Sequence, residues 1–168
     1  MRSLYRRLPS FSAAAALCMV LCVCLAGCSS EKRPDGMPPL LPCEITIQQD
    51  GQPLSEASVS LVAKSGDDKW SAVGRTDSMG KAVLHTWGQY PGVPEGTYKV
   101  LVNKSEIESV IPPDASPAEA AKLPPDKTFT LVEQIYKDAS STPLEIELKK
   151  GTGRFTLDAG KTVRIQIQ

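Results

Sequence analysis

Short runs in which apolar and polar residues alternate recur along this chain of 168 residues. Ile45 and Ile47 alternate with polar neighbours in one run, and Leu144, Ile146 and Leu148 alternate with charged neighbours in another. A period of two residues is typical of a β-strand that buries one face. No part of the chain after residue 28 has the apolar period of a helix over a useful length. The sequence therefore predicts an all-β protein.

Turn signals separate these runs about every 8 to 12 residues, which is typical of a β-sandwich. The fourteen prolines agree with short strands and many turns, because proline cannot donate to a strand ladder. Two of the predicted strands span residues 70–76 and 81–87, and the last strand has Val163, Ile165 and Ile167 pointing inward. The pattern predicts a single antiparallel sandwich of about seven to eight strands over residues 43–168.

The first 28 residues form a segment that takes no part in this fold. Arg2, Arg6 and Arg7 precede a charge-free apolar run of 17 residues, which is typical of a signal peptide and short for a membrane-spanning helix. The run ends in Leu-Ala-Gly-Cys at Cys28, which resembles the lipobox of bacterial lipoproteins. That resemblance implies a lipoprotein signal peptide at 1–27, cleaved before Cys28, and a lipid on Cys28. An uncleaved anchor and a plain secretory signal are the alternatives.

Cleavage would change the charge and the cysteine content of the chain. It would remove three arginines from 19 basic residues and none of the 19 acidic residues, which leaves 16 basic residues. This balance does not predict nucleic-acid binding. Cys43 would be the only free thiol, so no intramolecular disulfide is expected. We expect a lipoprotein of the bacterial cell envelope, facing the periplasm or the exterior, whose acylated Cys28 holds it on the membrane.

Two segments are predicted to lie outside the strands. Residues 28–42 carry proline, glycine and charge without any period, which indicates a lipidated cysteine followed by a flexible tether. Residues 105–126 contain paired prolines on either side of a short alanine-rich stretch. Ser116 could cap one short helix there, but the prolines prevent its extension. We therefore expect an excursion of low order at 105–126.

The order of the motifs resembles a known family. Gly51, Pro53 and Leu54 precede the run that contains Ala57 and Val59; Thr76, Asp77 and Gly80 follow; and Gly96, Tyr98 and Val100 close the pattern. Together they resemble the carboxypeptidase regulatory-like domain, a transthyretin-like or prealbumin-like sandwich, over residues 43–104. The resemblance implies an Ig-like or prealbumin-like fold. It implies little about function, because function depends on sites added to a fold.

Asp77 and Gly80 raise the question of whether their loop binds an ion or is a plain turn. Aspartate accepts hydrogen bonds from backbone amides a few residues further on, and glycine tolerates positive φ. A calcium loop needs at least about five oxygen donors, and within residues 77–81 only Asp77 and Ser78 supply side-chain oxygen. The sequence favours a turn.

Catalytic ingredients are scarce in the sequence. The single histidine, His85, is predicted to point outward from a strand, with no nucleophile or orienting acid that the sequence can place beside it. One thiol and one imidazole cannot fill a tetrahedral metal shell, and Cys43 is expected to be a buried small apolar residue. Enzymes of the transthyretin type that hydrolyse 5-hydroxyisourate carry several histidines and a Tyr-Arg-Gly-Ser ending, which this chain lacks. We expect no catalytic residues, no metal and no cofactor.

Trp87 and Tyr90 are the candidate binding residues, with Trp70 as a third suggestive aromatic. Trp87 and Tyr90 lie in or beside a long loop at 87–95, where aromatic faces could stack on a sugar ring or fill a partner's pocket. The alternative, which we favour on sequence alone, is that they cover the open end of the sandwich. The leading functional hypothesis is a non-catalytic, lipid-anchored envelope protein with a binding or structural module. A second hypothesis is an accessory subunit that recognises envelope polysaccharide or peptide through the 87–95 loop.

Overall fold

The computed structural model describes residues 33–66, 68–112 and 114–167. Asp35–Gln168 forms one compact unit. The predicted signal peptide and Cys28 lie outside the described residues. Nearly all of the regular secondary structure in the described part is β-strand, which confirms the predicted all-β class. Among these residues, no helix has the length and apolar character required to cross a membrane.

The strands are short, as the frequent turn signals predict. In chain order they are β1 (Leu40–Leu41), β2 (Glu44–Gln49), β3 (Gln52–Pro53), β4 (Ser58–Ala63), β5 (Ala72–Arg75), β6 (Lys81–Val83), β7 (His85–Thr86), β8 (Tyr90–Pro91), β9 (Val93–Pro94), β10 (Gly96–Asn103), β11 (Ser105–Glu108), β12 (Lys127–Thr130), β13 (Glu145–Leu148), β14 (Arg154–Asp158) and β15 (Ile165–Gln166).

Two sheets enclose the core. One has six strands in the order β13-β10-β4-β5-β7-β8, and the other has the order β14-β2-β3 with β6 also paired to β2. Ile45 and Ile47 of the smaller sheet share one buried cluster with Val59, Leu61 and Val100 of the larger sheet. These are the side chains that the alternation placed inward, so the predicted sandwich and its buried faces are confirmed for these strands.

The sheets depart from the sequence-based picture in two ways. The pairing of β14 with β2 is parallel, with Phe155 opposite Ile45 and Leu157 opposite Ile47, so the sandwich is not antiparallel throughout. The run 81–87, predicted as one strand, is two: β6 pairs with β2 and β7 pairs with β5. The chain changes sheet at Leu84, whose amide donates to the Cys43 carbonyl at 2.9 Å.

A small third sheet, in the order β11-β12-β15, contains part of the segment predicted to be of low order. Residues 105–108 pair there with β12, because the chain returns at 127–130 and forms a hairpin. The four-residue helix Pro117–Ala120 follows Ser116, as predicted, and the Ser116 amide donates to the Glu119 carboxylate at 3.0 Å. The expectation of low order is thus wrong for 105–108.

The last strand also differs from its prediction. Ile165 and Ile167 are more than half exposed, although their alternation predicted inward positions. The reason is that β15 pairs with β12 in the small sheet and does not line the main core. Gln49 ties this region to the sandwich, because its side-chain amide donates to the carbonyls of Leu131 and Lys161 at 3.1 Å each.

The end of the predicted tether is part of the fold. Leu40 and Leu41 pair antiparallel with Pro94 and Val93, so the flexible segment expected at 28–42 is structured at its C-terminal end. Gly92 makes this pairing possible, since a Cβ at that position would lie 2.6 Å from the Leu41 carbonyl oxygen. The chain therefore enters the sandwich through a defined seat, which we call the tether seat (Leu40–Pro42).

Candidate functional site

Three aromatic rings form a cluster on the surface of the larger sheet. The ring centroids of Trp70 and Trp87 lie 4.8 Å apart with an interplanar angle of 28°, which is a stacked arrangement. Tyr90 meets Trp87 edge-on, with centroids 6.2 Å apart and planes at 66°. We call these three residues the aromatic cluster. It unites both candidate binding residues from the sequence and adds Trp70.

Strand pairing brings the rings together. Ala72 of β5 lies opposite Thr86 of β7, so Trp70 and Trp87 occupy neighbouring positions just beyond the paired residues. The Trp87 amide donates to the Ser71 carbonyl at 2.9 Å and extends this pairing. Thr86 in turn pairs with Tyr90 of β8, which closes the hairpin and places the third ring beside the second.

The backbone at Trp87 is unusual for a bulky residue. Trp87 has φ = 55° and Gly88 has φ = 72°, and the Gln89 amide donates to the Thr86 carbonyl at 3.2 Å. Positive φ at both central residues is the requirement of a type I′ hairpin turn, in which Asn-Gly is the preferred pair. A tryptophan in this conformation costs about 1 to 3 kcal/mol, a strain that concentrates at functional sites.

The Trp87 side chain is held in place and still accessible. Its indole Nε1 donates to the Lys69 carbonyl at 2.8 Å, and 43% of the residue remains exposed. None of the three rings belongs to the buried core cluster or to the residues packed against it. The sequence favours rings that cover the core, whereas in the structure Trp87 packs on Trp70 and Tyr90 outside the core cluster.

A groove of about 910 Å³ starts at Trp70. One wall is apolar and includes Leu41 of the tether seat, and charged residues of both signs stand along the groove. Its lining comprises Pro38, Pro39, Leu41, Ala63, Lys64, Ser65, Trp70, Pro94, Glu95, Gly96, Thr97, Tyr98 and Lys150. The Tyr98 hydroxyl donates to the Pro94 carbonyl at 2.8 Å and so fixes the floor. Trp70 therefore belongs to both the aromatic cluster and the groove.

His85 and Cys43 are the two residues with potential side-chain reactivity that the sequence analysis considered. His85 is half-buried, and its Nδ1 lies 3.2 Å from the Val83 carbonyl oxygen. Cys43 is buried, as predicted, and burial raises the pKa of its thiol to about 11, so the reactive thiolate is disfavoured. Within the ranges that the structure describes, no three His, Cys, Asp or Glu side chains are grouped to hold a metal ion.

The loop at Asp77 is a turn, as the sequence favoured. Asp77 Oδ1 accepts hydrogen bonds from the amides of Met79 at 2.8 Å and Lys81 at 3.0 Å. These two backbone hydrogen bonds hold the pKa of the Asp77 carboxyl below its ordinary value. Gly80 has φ = 73°, and a Cβ there would lie 2.5 Å from the Ile47 carbonyl oxygen. The turn thus packs against β2, and the Asp77 carboxylate oxygen accepts hydrogen bonds from the backbone of the turn itself.

Sequence reasoning named the three aromatic residues but did not predict their stacking or the groove beside Trp70. One signal was present in the sequence. Folding the runs 70–76 and 81–87 across the turn at Asp77–Gly80 brings Trp70 next to Trp87. The groove had no such signal, since its walls come from four separate segments, one of which was assigned to a flexible tether.

No family model matches this chain, and no curated protein is significantly similar to it. A solved structure of a "putative adhesin" from Bacteroides ovatus ATCC 8483 is similar over 80% of this chain, with 17% identity and a TM-score of 0.38. The chain spans about half of that protein, 49% of its length. A similarity of this degree carries no argument about function.

Proposed function

We propose that this is a non-catalytic, lipid-anchored protein of the bacterial cell envelope, and that its sandwich is a binding module that uses the aromatic cluster. The observation that carries the proposal is the stacked, half-exposed Trp87. It is fixed by a hydrogen bond to Lys69 and held in a strained turn for which another residue type would be preferred. An aromatic side chain that is already held in one orientation loses little conformational entropy on binding, which supports a role of this surface in recognition.

The ligand class that best fits the aromatic cluster is a polysaccharide of the envelope. The C–H faces of sugar rings pack on aromatic rings, and Tyr and Trp offer a large, rigid apolar area with a polar handle. The groove at Trp70 adds polar groups beside an apolar wall, among them Lys64, Glu95 and Thr97, which could bind hydroxyl groups. A peptide partner is the second candidate, supported by the same aromatic and apolar surface.

The finer identity belongs to the proposal as well. We infer a carboxypeptidase regulatory-like domain, supported by the positions of its motif residues in the fold. Gly51 has φ = 73° in the β2–β3 turn, Asp77 organises the turn before β6, and Tyr98 and Val100 are buried on β10. The lipobox at Cys28 supports the lipid anchor.

A binding experiment can separate a recognition surface from a structural role. Purified envelope polysaccharide and peptidoglycan would be co-sedimented with the fragment Ser29–Gln168 and with its Trp87→Asn variant. Asparagine suits the turn, so this variant removes the ring and keeps the hairpin. Met79→Asn, at the tip of another turn and strongly exposed, is the matched control. We expect Trp87→Asn alone to reduce binding, by at least about tenfold for a central aromatic contact. Equal binding by all three proteins would refute the proposed surface.

The lipid anchor has a separate test. In cells that make the full chain, Cys28→Ala should leave the signal peptide uncleaved by lipoprotein processing and abolish acylation at this position. Metabolic labelling with a fatty acid, followed by electrophoresis, reports both effects. A Cys43→Ala chain serves as the control, because Cys43 is buried in the sandwich. Labelling that persists in Cys28→Ala would rule out the proposed anchor.

A further inference from the structure

The tether seat is built for close backbone contact on two sides. On one side, Leu40 and Leu41 pair with β9 next to Gly92. On the other side, a Cβ at Gly153 would clash with the Pro42 carbonyl oxygen, and the Gly153 carbonyl accepts a hydrogen bond from the Glu44 amide at 2.7 Å. The point at which the tether joins the domain is thus fixed between two glycine-containing loops.

The loop that contains Gly153 is basic and exposed. Residues 149–153 connect β13 to β14, and together with Arg154, the first residue of β14, they have the sequence Lys-Lys-Gly-Thr-Gly-Arg; we call 149–154 the basic loop. The Thr152 amide donates to the Lys149 carbonyl at 3.0 Å, and Gly151 has φ = 88°, so the loop forms a tight turn. Three exposed cations within six residues therefore lie in or beside a hydrogen-bonded turn next to the tether seat.

The ion pairs of these cations are weak and open to solvent. Lys149 pairs with Glu147 at 2.7 Å, and both side chains are more than half exposed. Arg154 lies 3.8 Å from Glu44, and its side chain is 88% exposed. Because solvent screens such exposed ion pairs, each contributes only about 0 to 1 kcal/mol to folding stability. These cations can therefore bind another anion at little energetic cost. Glu95 stands along the groove near Lys150, so the surface holds both signs, with basic groups in excess at the loop.

Chain length keeps the tether seat close to the membrane. Leu40 lies twelve positions after Cys28 in the sequence. At about 3.3–3.6 Å per residue, even a fully extended chain spans only about 40 Å, which is close to the diameter of a domain of this size. The basic loop borders the seat, so it belongs to the part of the domain that the lipid would hold nearest to the bilayer. The lipid attachment thereby raises the effective concentration of the basic loop at the lipid headgroups.

We propose that the basic loop contacts the anionic headgroups of the membrane in which the Cys28 lipid is inserted, and so fixes the orientation of the sandwich on that surface. The inference rests on the lipid anchor of the proposed function. The occupant is a bilayer that carries anionic lipid, because rigid, exposed cations next to a short membrane attachment complement negative headgroups. The domain can lie with the basic loop on the membrane or with the loop away from it. We expect each cation to raise the ratio of the first orientation to the second by about fivefold.

The test uses the full-length protein, purified from cells with its own modifications and mixed with vesicles. One set consists of phosphatidylcholine, and the other of equal parts phosphatidylcholine and phosphatidylglycerol. A fluorophore is attached to Thr152→Cys in the basic loop, or to Ser140→Cys. Residue 140 precedes the N-terminal end of β13, whereas the basic loop follows the C-terminal end of that strand. Cys43 does not interfere, because it is buried. Quenching by a headgroup-attached quencher then reports which end of the domain lies on the membrane.

We expect stronger quenching at position 152 than at position 140 in the anionic vesicles, with the difference reduced by high salt. The triple variant Lys149→Gln, Lys150→Gln, Arg154→Gln should show a smaller difference in quenching between the two positions. Each removed charge should lower the ratio of loop-down to loop-up orientations by about fivefold. The control variant Lys122→Gln, Lys127→Gln, Lys161→Gln has the same net charge as the basic-loop variant and should retain the difference in quenching. Equal quenching at both positions in vesicle-bound protein would overturn this inference alone. Protein that the vesicles do not retain would overturn the lipid anchor, and the inference with it.

Discussion

The indole of Trp87 stacks on the indole of Trp70 with centroids 4.8 Å apart and planes inclined by 28°, while the Trp87 backbone has a positive φ of 55°. The two facts oppose each other energetically. A stacked aromatic pair contributes about 0.5–1.5 kcal/mol beyond its buried area, whereas the turn conformation disfavours any bulky residue by about 1 to 3 kcal/mol. The tryptophan is therefore retained at a position where the backbone would prefer asparagine or glycine.

The first prediction separates these two contributions. Trp87→Ala removes the ring and keeps the unfavourable φ, so we expect it to lower the free energy of unfolding by about 1 to 2 kcal/mol. Trp87→Asn removes the same ring but relieves the turn, and we expect it to be more stable than Trp87→Ala by about 1 kcal/mol. Denaturant unfolding of the three proteins measures both differences. An asparagine variant no more stable than the alanine variant would contradict the assigned turn.

The second prediction concerns Gly80, which packs against β2. Gly80 and Gly51 both have φ = 73°, but a Cβ at Gly80 would lie 2.5 Å from the Ile47 carbonyl oxygen, whereas Gly51 has open space. Gly51→Ala should lower the free energy of unfolding by only about 1 to 2 kcal/mol, which is the penalty for placing a side chain at positive φ. Gly80→Ala should cost clearly more, because β2 must shift as well. The midpoints of chemical unfolding provide the test, and equal losses would argue against the close approach of the turn to β2.

The third prediction concerns Gln49, the link between the sandwich and the small sheet. Its buried amide donates to the carbonyls of Leu131 and Lys161. Gln49→Leu leaves both carbonyls without this donor, and we expect a loss of about 2 to 4 kcal/mol. Gln52→Leu, in the exposed strand β3, is the control and should change little. Hydrogen exchange should accelerate first at residues 127–132 and 161–167; uniform acceleration across the chain would speak against a local link.

The fourth prediction is a pH dependence that arises from Cys43. Burial raises the pKa of its thiol from 9.0 to about 11, so above pH 9 the unfolded chain loses this proton before the folded one does. Stability is therefore fully present below about pH 9 and falls by up to about 1.4 kcal/mol per pH unit until about pH 11. Cys43→Ala should flatten this slope. Burial also raises the pKa of Tyr98, which leaves a residual slope at the alkaline end. Identical slopes in both proteins would show that the thiol is not the cause.

Local alternation predicted the buried faces well where a strand stays in one sheet. It could not reveal the change of sheet at Leu84, because Ala82, Leu84 and Thr86 are all fully buried and the period continues across the break. It misplaced Ile165 and Ile167 for a related reason. A period of two residues shows that a strand has two faces, but only long-range pairing decides whether one of them meets the core.

The site was predictable in its residues and unpredictable in its geometry. Trp87 and Tyr90 stood out because large aromatic residues are few and lie near a loop. Their packing on Trp70 depends on the register between β5 and β7, which hydrogen bonds set across many residues of separation. The tether seat depends on Gly92 and Gly153, which come together only in the folded chain. Glycines that admit a neighbouring backbone have no distinct pattern in a single sequence.

The parallel pairing of β2 with β14 determines how the domain would bear mechanical load. The tether reaches β2 through the tether seat, and β2 forms five residue pairs with β14 and three with β6. A pull that reaches β2 along its own axis would load these hydrogen bonds together in shear, so they could not break one after another. The strand nearest to the proposed lipid anchor is thus held by neighbours on both of its edges.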